Sequence, residues 1–502
     1  MLPHIFPISS LMAGTALLLL GTGLTATLIV LRGTSEGFSD QFLGLIGSGY
    51  FVGFLIGAWV VPRLIRRIGH IRAFNFFAAS IAALVLLHSI LVNPWVWLVL
   101  RLLTGIMLVG FYTVIESWLN SRSVPERRGQ VFAVYMAVNM GAMALAQQLL
   151  HAGDPQSFVL FSLAAVLVCL SVLPLASTRQ PQPEIHTLPR LSLREVWQAA
   201  PTAVMGTIVS GLIIATFWSI APLYASRLGL DASGVAMLMT SAIAGGALLQ
   251  VPLGRLSDRG DRRRVLALAG SGAALAAVAM AFIPPGDIWL FVAAFLFGGM
   301  AFALYPIAVA HLIDRLSNEH ILSGNSAMLL LHGVGAIFGP VLAGVLMGLF
   351  GPAAVPLMLA AMLGPFTLFV LWRVRRARDE VVEEAAHFQP MLRTAGTAME
   401  IAAAVEEHYI ETAQEEAETE ARLAEEEAGE DGAGPAKTAT PAEGDDTTEG
   451  SEGTEATENT AVTATEKAPD TPGTPATPDE NPAGSDPDVE PPNPSGSGPR
   501  RQ

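Results

Sequence analysis

The chain has 502 residues, of which 51% are hydrophobic and only 15% charged, against about 25% charged in soluble domains. A mean hydropathy of +0.47 excludes an ordinary cytosolic enzyme. The formal charge of −15 divides into a body, residues 1–378, with net charge +10, and a tail, residues 379–502, with net charge −25.

In chain order, the first apolar segment, 9–31, carries no charge. It lacks the basic start of a secretory signal and exceeds its apolar length, so an uncleaved membrane span is expected. A helix crosses the hydrocarbon core with about 20 apolar residues. Segments of that kind recur at 41–62, 74–92, 95–118, 130–150, 157–176, 202–224, 235–254, 265–283, 288–312, 325–349 and 352–372, which predicts twelve spans. A transmembrane β-barrel is excluded because these runs are apolar on every face, whereas barrel strands alternate over about ten residues.

Arginine sets the orientation. The segments 63–73, 119–129, 177–200, 255–264 and 313–322, together with the residues just after the last span, hold 20 Arg, and the opposite side holds only Arg32 and Arg227. The positive-inside rule then places both termini in the cytoplasm. Trp95, Trp97, Trp289 and Trp372 sit near span ends, where indoles anchor at the interface. A single cysteine, Cys169, excludes a disulfide framework and a cysteine-based metal cluster.

The halves repeat at an offset of 192 residues. The run Pro62-Arg63-Leu64-Ile65-Arg66-Arg67-Ile68-Gly69-His70-Ile71-Arg72 aligns with Gly254-Arg255-Leu256-Ser257-Asp258-Arg259-Gly260-Asp261-Arg262-Arg263-Arg264, and Gly37 with Gly229. Each half therefore carries six spans, with a basic loop between its second and third.

On these residues the chain resembles the major facilitator superfamily of secondary transporters, bacterial in type. The family's loop signature is matched by Gly254, Asp258, Arg259, Arg262 and Arg263, with Asp261 in place of its second glycine. The copy in the first half keeps only Arg67, Gly69 and Arg72 and has Arg66 where the family has an acid. Arg101 and Gly105 are similar to the family motif of span four, and the run from Pro125 to Gly129 to its link into span five. The resemblance implies an all-α integral membrane protein with twelve transmembrane helices in two pseudo-symmetric six-helix bundles. It implies a bundle over 1–176, a connector over 177–200 and a second bundle over 201–376. A partly helical basic-to-acidic segment, 377–428, and a disordered acidic tail, 429–502, complete the expected organisation; the last is too poor in large apolar residues to fold.

Charges inside a membrane need reasons, because each costs at least ~2.5–3.5 kcal/mol on translocon scales. Arg101, about six residues into span four, is read either as an anion or carboxylate contact in the cavity or the partner of a proton carrier, or as an arginine that snorkels to the outer interface or ties spans together. Glu116 lies 15 residues further along the same helix, roughly 22 Å away, so the two do not pair directly. It is expected as a gate-side ion pair with Arg66, Arg67 or Arg127, with a proton-accepting role as the alternative. His311 and His332 are candidates for proton coupling, since histidine exchanges protons in the physiological range; packing is the competing reading. His88, on a span that the resemblance turns to lipid, is expected to be structural. Asn139, Gln147 and Gln148 offer hydrogen bonds to a solute or to neighbouring helices. Trp218 and Tyr305 are candidates for an aromatic wall. The glycines at 335, 339 and 344, beside Pro340, read as a close-packing stripe with a bend. By resemblance, Arg66, Arg67, Arg127, Gly254, Asp258, Arg259 and Arg262 form a conformational gate.

No Walker A loop, G-x-S-x-G, H-E-x-x-H or paired-cysteine pattern occurs. The expectation is therefore a carrier and not an enzyme, gradient-driven, with no cofactor and no metal. Its expected partners are a small-molecule solute, protons and the lipid bilayer, with no nucleic acid, and the protein is expected to be a monomer in a bacterial cytoplasmic (inner) membrane. The rival readings are a transporter-like sensor that signals through the tail and a membrane-embedded enzyme.

Overall fold

The structure, a computed structural model, describes residues 2–122, 128–176, 193–317 and 320–376. Arg127, most of the connector and the expected tail segments lie outside the described residues.

Twelve helical segments among the described residues are long and apolar enough to cross a membrane. They are spans one to six (Ser9–Ser35, Asp40–Ile68, His70–Ile90, Pro94–Leu119, Ala133–Ala152, Phe158–Leu175) and spans seven to twelve (Pro201–Arg227, Ala232–Asp258, Arg262–Phe282, Ile288–Ile313, Ser323–Phe350, Ala354–Arg376). In hydrocarbon every backbone polar group must be satisfied within the segment, which favours uninterrupted helix. Hydroxyls inside the spans obey the same rule: those of Thr15, Thr22, Thr25 and Thr104 donate to the carbonyl four residues back. Span ten pauses between Ala301 and Leu304, and a short helix, Leu193–Ala199, precedes span seven.

The repeat is visible in local geometry. Gly37 and Gly229, 192 residues apart, both hold positive φ (78° and 82°) in the turn before the second span of their half. Two residues on, Ser39 and Asp231 cap those spans by accepting from the Phe42 and Gly234 amides. Both caps satisfy a backbone N–H that the first helical turn leaves orphaned.

Packing follows the same symmetry. Gly53 and Gly105 bring spans two and four together with no space for a Cβ, Gly53 facing the Leu102 carbonyl and Gly105 the Tyr50 carbonyl. Gly245 and Gly298 repeat this crossing between spans eight and ten, against the carbonyls of Phe295 and Ala242. Small residues at such crossings allow helices to associate by close van der Waals contact, since lipid supplies no hydrophobic drive between them. Gly53→Val and Gly245→Val each place a β-branched side chain against a backbone. Each is expected to abolish recovery of monodisperse protein on size-exclusion chromatography, whereas Gly141→Val, at an open position, is expected to be recovered normally.

Spans one and seven are the most enclosed, which places them at the centre of the bundle. Spans three, six, nine and twelve present large apolar side chains outward, among them Phe76, Leu173, Leu275 and Leu368. That is the surface a bilayer covers. Gly211 on span seven and Gly335 and Gly339 on span eleven seat these two helices backbone to backbone. The stripe expected from sequence is therefore a packing surface.

Candidate functional site

The charged and polar side chains inside the bundle lie in three tiers, named here by the Arg-rich and Arg-poor ends of the molecule. At the Arg-poor end the two halves are joined. Arg227, closing span seven, donates from Nε and Nη2 to Oδ1 of Asp40, which opens span two, at 3.0 and 2.6 Å. Gln148 Nε2 donates to Thr240 Oγ1 at 2.7 Å, and His151 Nε2 lies 3.1 Å from Ser233 Oγ. Further in, Gly44 meets Gly344, and Ser48 Oγ donates to the Ile337 carbonyl at 2.6 Å, one turn before Pro340. Sequence reasoning assigned no role to Asp40 or Arg227. The available signal was that both are charges on the side otherwise poor in arginine.

Arg227 keeps 40% of its side chain exposed and Asp40 13%, so this ion pair contributes no more than about 1 kcal/mol. Its consequence is conformational, because it favours only states in which this end is closed. Asp40→Asn is expected to leave the melting temperature nearly unchanged. It should raise maleimide labelling of a cysteine introduced at Gln41 several-fold over the same cysteine in an otherwise unchanged protein.

The middle tier holds Arg101 and His332, one in each half. Arg101 is 8% exposed, and its guanidinium carbon stands 4.8 Å from the centroid of the Tyr50 ring on span two, a cation–π contact. Tyr50 is ten residues into its helix, about 15 Å from the Arg-poor end. The repeat has small residues here, Ala242 opposite Tyr50 and Ala294 opposite Arg101. The cation is a feature of the first half alone.

His332 is 1% exposed, and a Cβ on the next residue, Gly333, would lie 3.5 Å from the Leu55 side chain across the interface between halves. Leu55 is five residues further along span two than Tyr50, so His332 sits about 7 Å nearer the Arg-rich end than Arg101. Three spans hold its ring. Ser210 Oγ on span seven is 3.1 Å from Nδ1, and the Tyr305 ring on span ten packs edge-on at 4.6 Å. The Ser210 hydroxyl also donates to the Thr207 carbonyl at 2.9 Å. Nδ1 therefore carries the proton and donates to Ser210, an assignment drawn from the hydrogen-bond network. Nε2 is left as a buried acceptor with no hydrogen-bond partner among the described residues. The structure brings Tyr305 and His332, far apart in the sequence of the second half, into one cluster.

The other candidate residues make packing contacts or local bonds. Gln147 accepts from Thr27 Oγ1 at 2.7 Å and ties span five to span one. Asn139 donates to the Tyr135 carbonyl of its own helix at 2.8 Å. Trp218 stacks on Phe302, centroids 6.2 Å apart, beside the pause in span ten. His88 lies against Trp97 with Nδ1 2.7 Å from the Leu84 carbonyl.

The third tier is at the Arg-rich end. Arg262, the first residue of span nine, has a side chain 2% exposed. It donates from Nε and Nη2 to the two oxygens of Asp314, beyond span ten, at 2.6 and 3.3 Å. Its Nη1 donates to Asp258 Oδ1 at 2.9 Å and to Ser257 Oγ at 3.1 Å, both at the end of span eight. One guanidinium thus fastens three helix ends, using the planar fork that only arginine offers. Gly254 is buried one turn before these groups, and Arg259 is exposed. Asp314 was missed from sequence; its signal was a carboxylate directly after a span on the Arg-rich face. His311, expected near the coupling site, belongs to this tier, with Nδ1 3.0 Å from Arg315 Nη1.

Beside Arg262, Asp261 caps span nine. Burial pushes its carboxyl pKa up, but hydrogen bonds from the Arg263 side chain and backbone, with the Arg263 charge, prevail and hold it below the usual carboxylate range. The stability it contributes is present above the ordinary carboxylate pKa and is lost as pH falls through the lower folded value.

In the first half, Arg66 and Arg67 are exposed, and Glu116 is 1% exposed with the Tyr135 hydroxyl 3.4 Å from its Oε1. No cluster of His, Cys, Asp and Glu suited to a metal occurs among the described residues.

Comparison with known proteins agrees with this architecture. A family model described as Major Facilitator Superfamily matches residues 11–202 and again 203–411. The chain is 29% identical over 377 residues to YcaD of Shigella flexneri, an uncharacterized MFS-type transporter, covering 73% of this chain and 95% of that protein. It is 27% identical over 371 residues to an uncharacterized MFS-type transporter of Enterobacter sp. (strain 638), with the same coverage. Among solved structures, a variant of the nucleoside transporter NupG superposes with a TM-score of 0.63 at 13% identity, covering 73% of this chain and all of that one. This last likeness concerns the fold.

Proposed function

Because the chain belongs to the major facilitator superfamily and is a multi-pass membrane carrier of a solute, we propose that it couples movement of a small solute to protons through His332. The observation that carries this reading is the buried Nε2 of His332. It is a proton acceptor held between spans seven, ten and eleven, next to the interface of the halves. A group that gains and loses a proton beside a moving interface biases that interface in each protonation state.

The remaining assignments extend the same reading. Arg101, on its Tyr50 platform, is the first contact for an anionic part of the solute. Asn139, Gln147, Trp218, Tyr305, His311 and Glu116 shape or flank the path. Arg66, Arg67, Arg127, Gly254, Asp258, Arg259 and Arg262 form the gate at the Arg-rich end. The bundles run 1–176 and 201–376 around the connector 177–200, with the segments 377–428 and 429–502 appended. The positive-inside asymmetry supports a bacterial inner-membrane protein with both termini on the cytoplasmic side, in which the join at the Arg-poor end closes the outer side. Transport proceeds by alternating exposure of a midplane site, by a monomer.

The test begins with a thermal-shift screen for a stabilising solute, followed by uptake into proteoliposomes. An imposed pH gradient is expected to drive accumulation that a protonophore abolishes. Accumulation indifferent to the protonophore would overturn the coupling.

A further inference from the structure

One buried position differs in charge between the halves in a way the repeat makes comparable. At the offset of 192, His70 corresponds to Arg262, and each is the first residue of the third span of its half. Both are 3% exposed. Each reaches from that helix start to the end of its half's fourth helix. Arg262 does so through Asp314. His70 does so through Nε2, 3.1 Å from Ser117 Oγ, with its ring 5.9 Å from that of Trp118.

The surroundings are opposite in charge. Where Arg262 has Asp258, four residues before it, His70 has Arg66; where it has Ser257, His70 has Ile65. The matching glycine crossings, Gly105 with Gly298, set the register of the fourth helices at 193. That register puts Ser117 opposite Ala310 and Trp118 opposite His311, and Asp314 corresponds to Ser121. No carboxylate occupies any of these positions in the first half. The turn differs too: Gly69, at φ 81°, is the sole residue between spans two and three, so His70 follows directly on the arginine-bearing end of span two.

Charged groups on the elements packed around His70 are few. Span two ends with Arg63, Arg66 and Arg67, and span three itself adds Arg72. Span four carries Arg101, far toward its other end, and Glu116, with the Tyr135 hydroxyl beside it, and its helix runs on to Arg122. Span six has no charged residue, and its one titratable group, Cys169, is exposed. The helix of span one begins near His4, whose side chain is outside the description.

We propose that His70 is a proton-sensing site on the Arg-rich side, the titratable counterpart of the fixed latch at Arg262. As a neutral ring it joins span three to span four through Ser117. Protonated, it becomes a buried cation just after the arginine-bearing end of span two, at a position where its counterpart has two carboxylates. An uncompensated buried charge is costly, so proton binding loosens this junction while the junction at Arg262 holds. The inference does not depend on the role given to His332.

Hydrogen exchange of the full-length protein in lipid nanodiscs, corrected for the pH dependence of chemical exchange, tests this without any transport assay. Between about pH 7.5 and about pH 5.5, a window that spans histidine titration, peptides covering 66–76 and 113–119 are expected to exchange about tenfold faster. Peptides covering 258–268 and 308–316 are expected to stay constant. His70→Gln should remove the step, and His70→Arg should show the fast pattern at both values. The absence of a step in the unmodified protein, or an equal step in His70→Gln, overturns the proposal. If His70→Gln is not recovered folded, Ser117→Ala decides. Faster exchange of these peptides at about pH 7.5 supports the junction, and unchanged exchange contradicts it.

Discussion

His332→Gln is expected to abolish proton-driven accumulation while leaving solute exchange down its own gradient in place. A pH difference of one unit amounts to about 1.4 kcal/mol per proton, tenfold in concentration. A carrier that moves one proton with each solute therefore sustains up to about tenfold accumulation under that gradient, and the variant should fall to about onefold. Glutamine keeps a side-chain amide able to donate to Ser210 Oγ, now 3.1 Å from the ring Nδ1, so the contact between spans seven and eleven survives. What it lacks is a titratable Nε2. Ser210→Ala keeps the imidazole but releases its orientation, and an intermediate loss is expected. The pair of variants separates proton exchange from ring positioning, which a single deletion does not.

The second large effect concerns Arg262. Its side chain is 2% exposed, and that of Asp314 only 6%. Removing the guanidinium takes away the cation that one deeply buried carboxylate, Asp314, shares with one partly buried carboxylate, Asp258. Breaking a buried pair from one side costs about 3–5 kcal/mol, far more than the net worth of the intact pair. Arg262→Met is therefore expected to lower the melting temperature sharply and to reduce the yield of folded protein. Combining it with Asp314→Leu should restore much of the loss, because the stranded charge is gone. Arg67→Gln, at an exposed position of the first half, is expected to change stability by no more than about 0.5 kcal/mol. Equal effects of Arg262→Met and Arg67→Gln, read by thermal unfolding, would show that the latch is not where the structure puts it.

Much of the fold was legible in the sequence because the bilayer imposes simple rules. Uncharged runs such as 9–31 and 325–349 can only be spans, and the helices differ from those segments mainly by a few residues at their ends. The repeat was legible because Gly37 and Gly229, and the basic loops behind Pro62 and Gly254, kept their spacing. Glycine stripes were also readable as packing, since Gly335 and Gly339 now lie on the span seven backbone.

The sites were less legible, for a physical reason. A hydrogen bond between spans depends on helix rotation and depth, which hydropathy does not encode. Hence His311 and His332 looked alike as isolated histidines, yet one sits beside Arg315 at the Arg-rich end and the other against Ser210 and Tyr305 near mid-depth. Asp314 and Asp40 were overlooked because each is an unremarkable loop acid until the fold supplies its arginine.

Coupled movement of solute and proton through His332 is the central proposal. It is tested most directly in proteoliposomes containing a trapped pH indicator, with no gradient imposed, by adding the solute and following internal pH. The expected result is a pH change that tracks solute entry and disappears in His332→Gln while solute exchange continues. Solute entry without a pH change in the unmodified protein, or an undiminished pH change in His332→Gln, would contradict it.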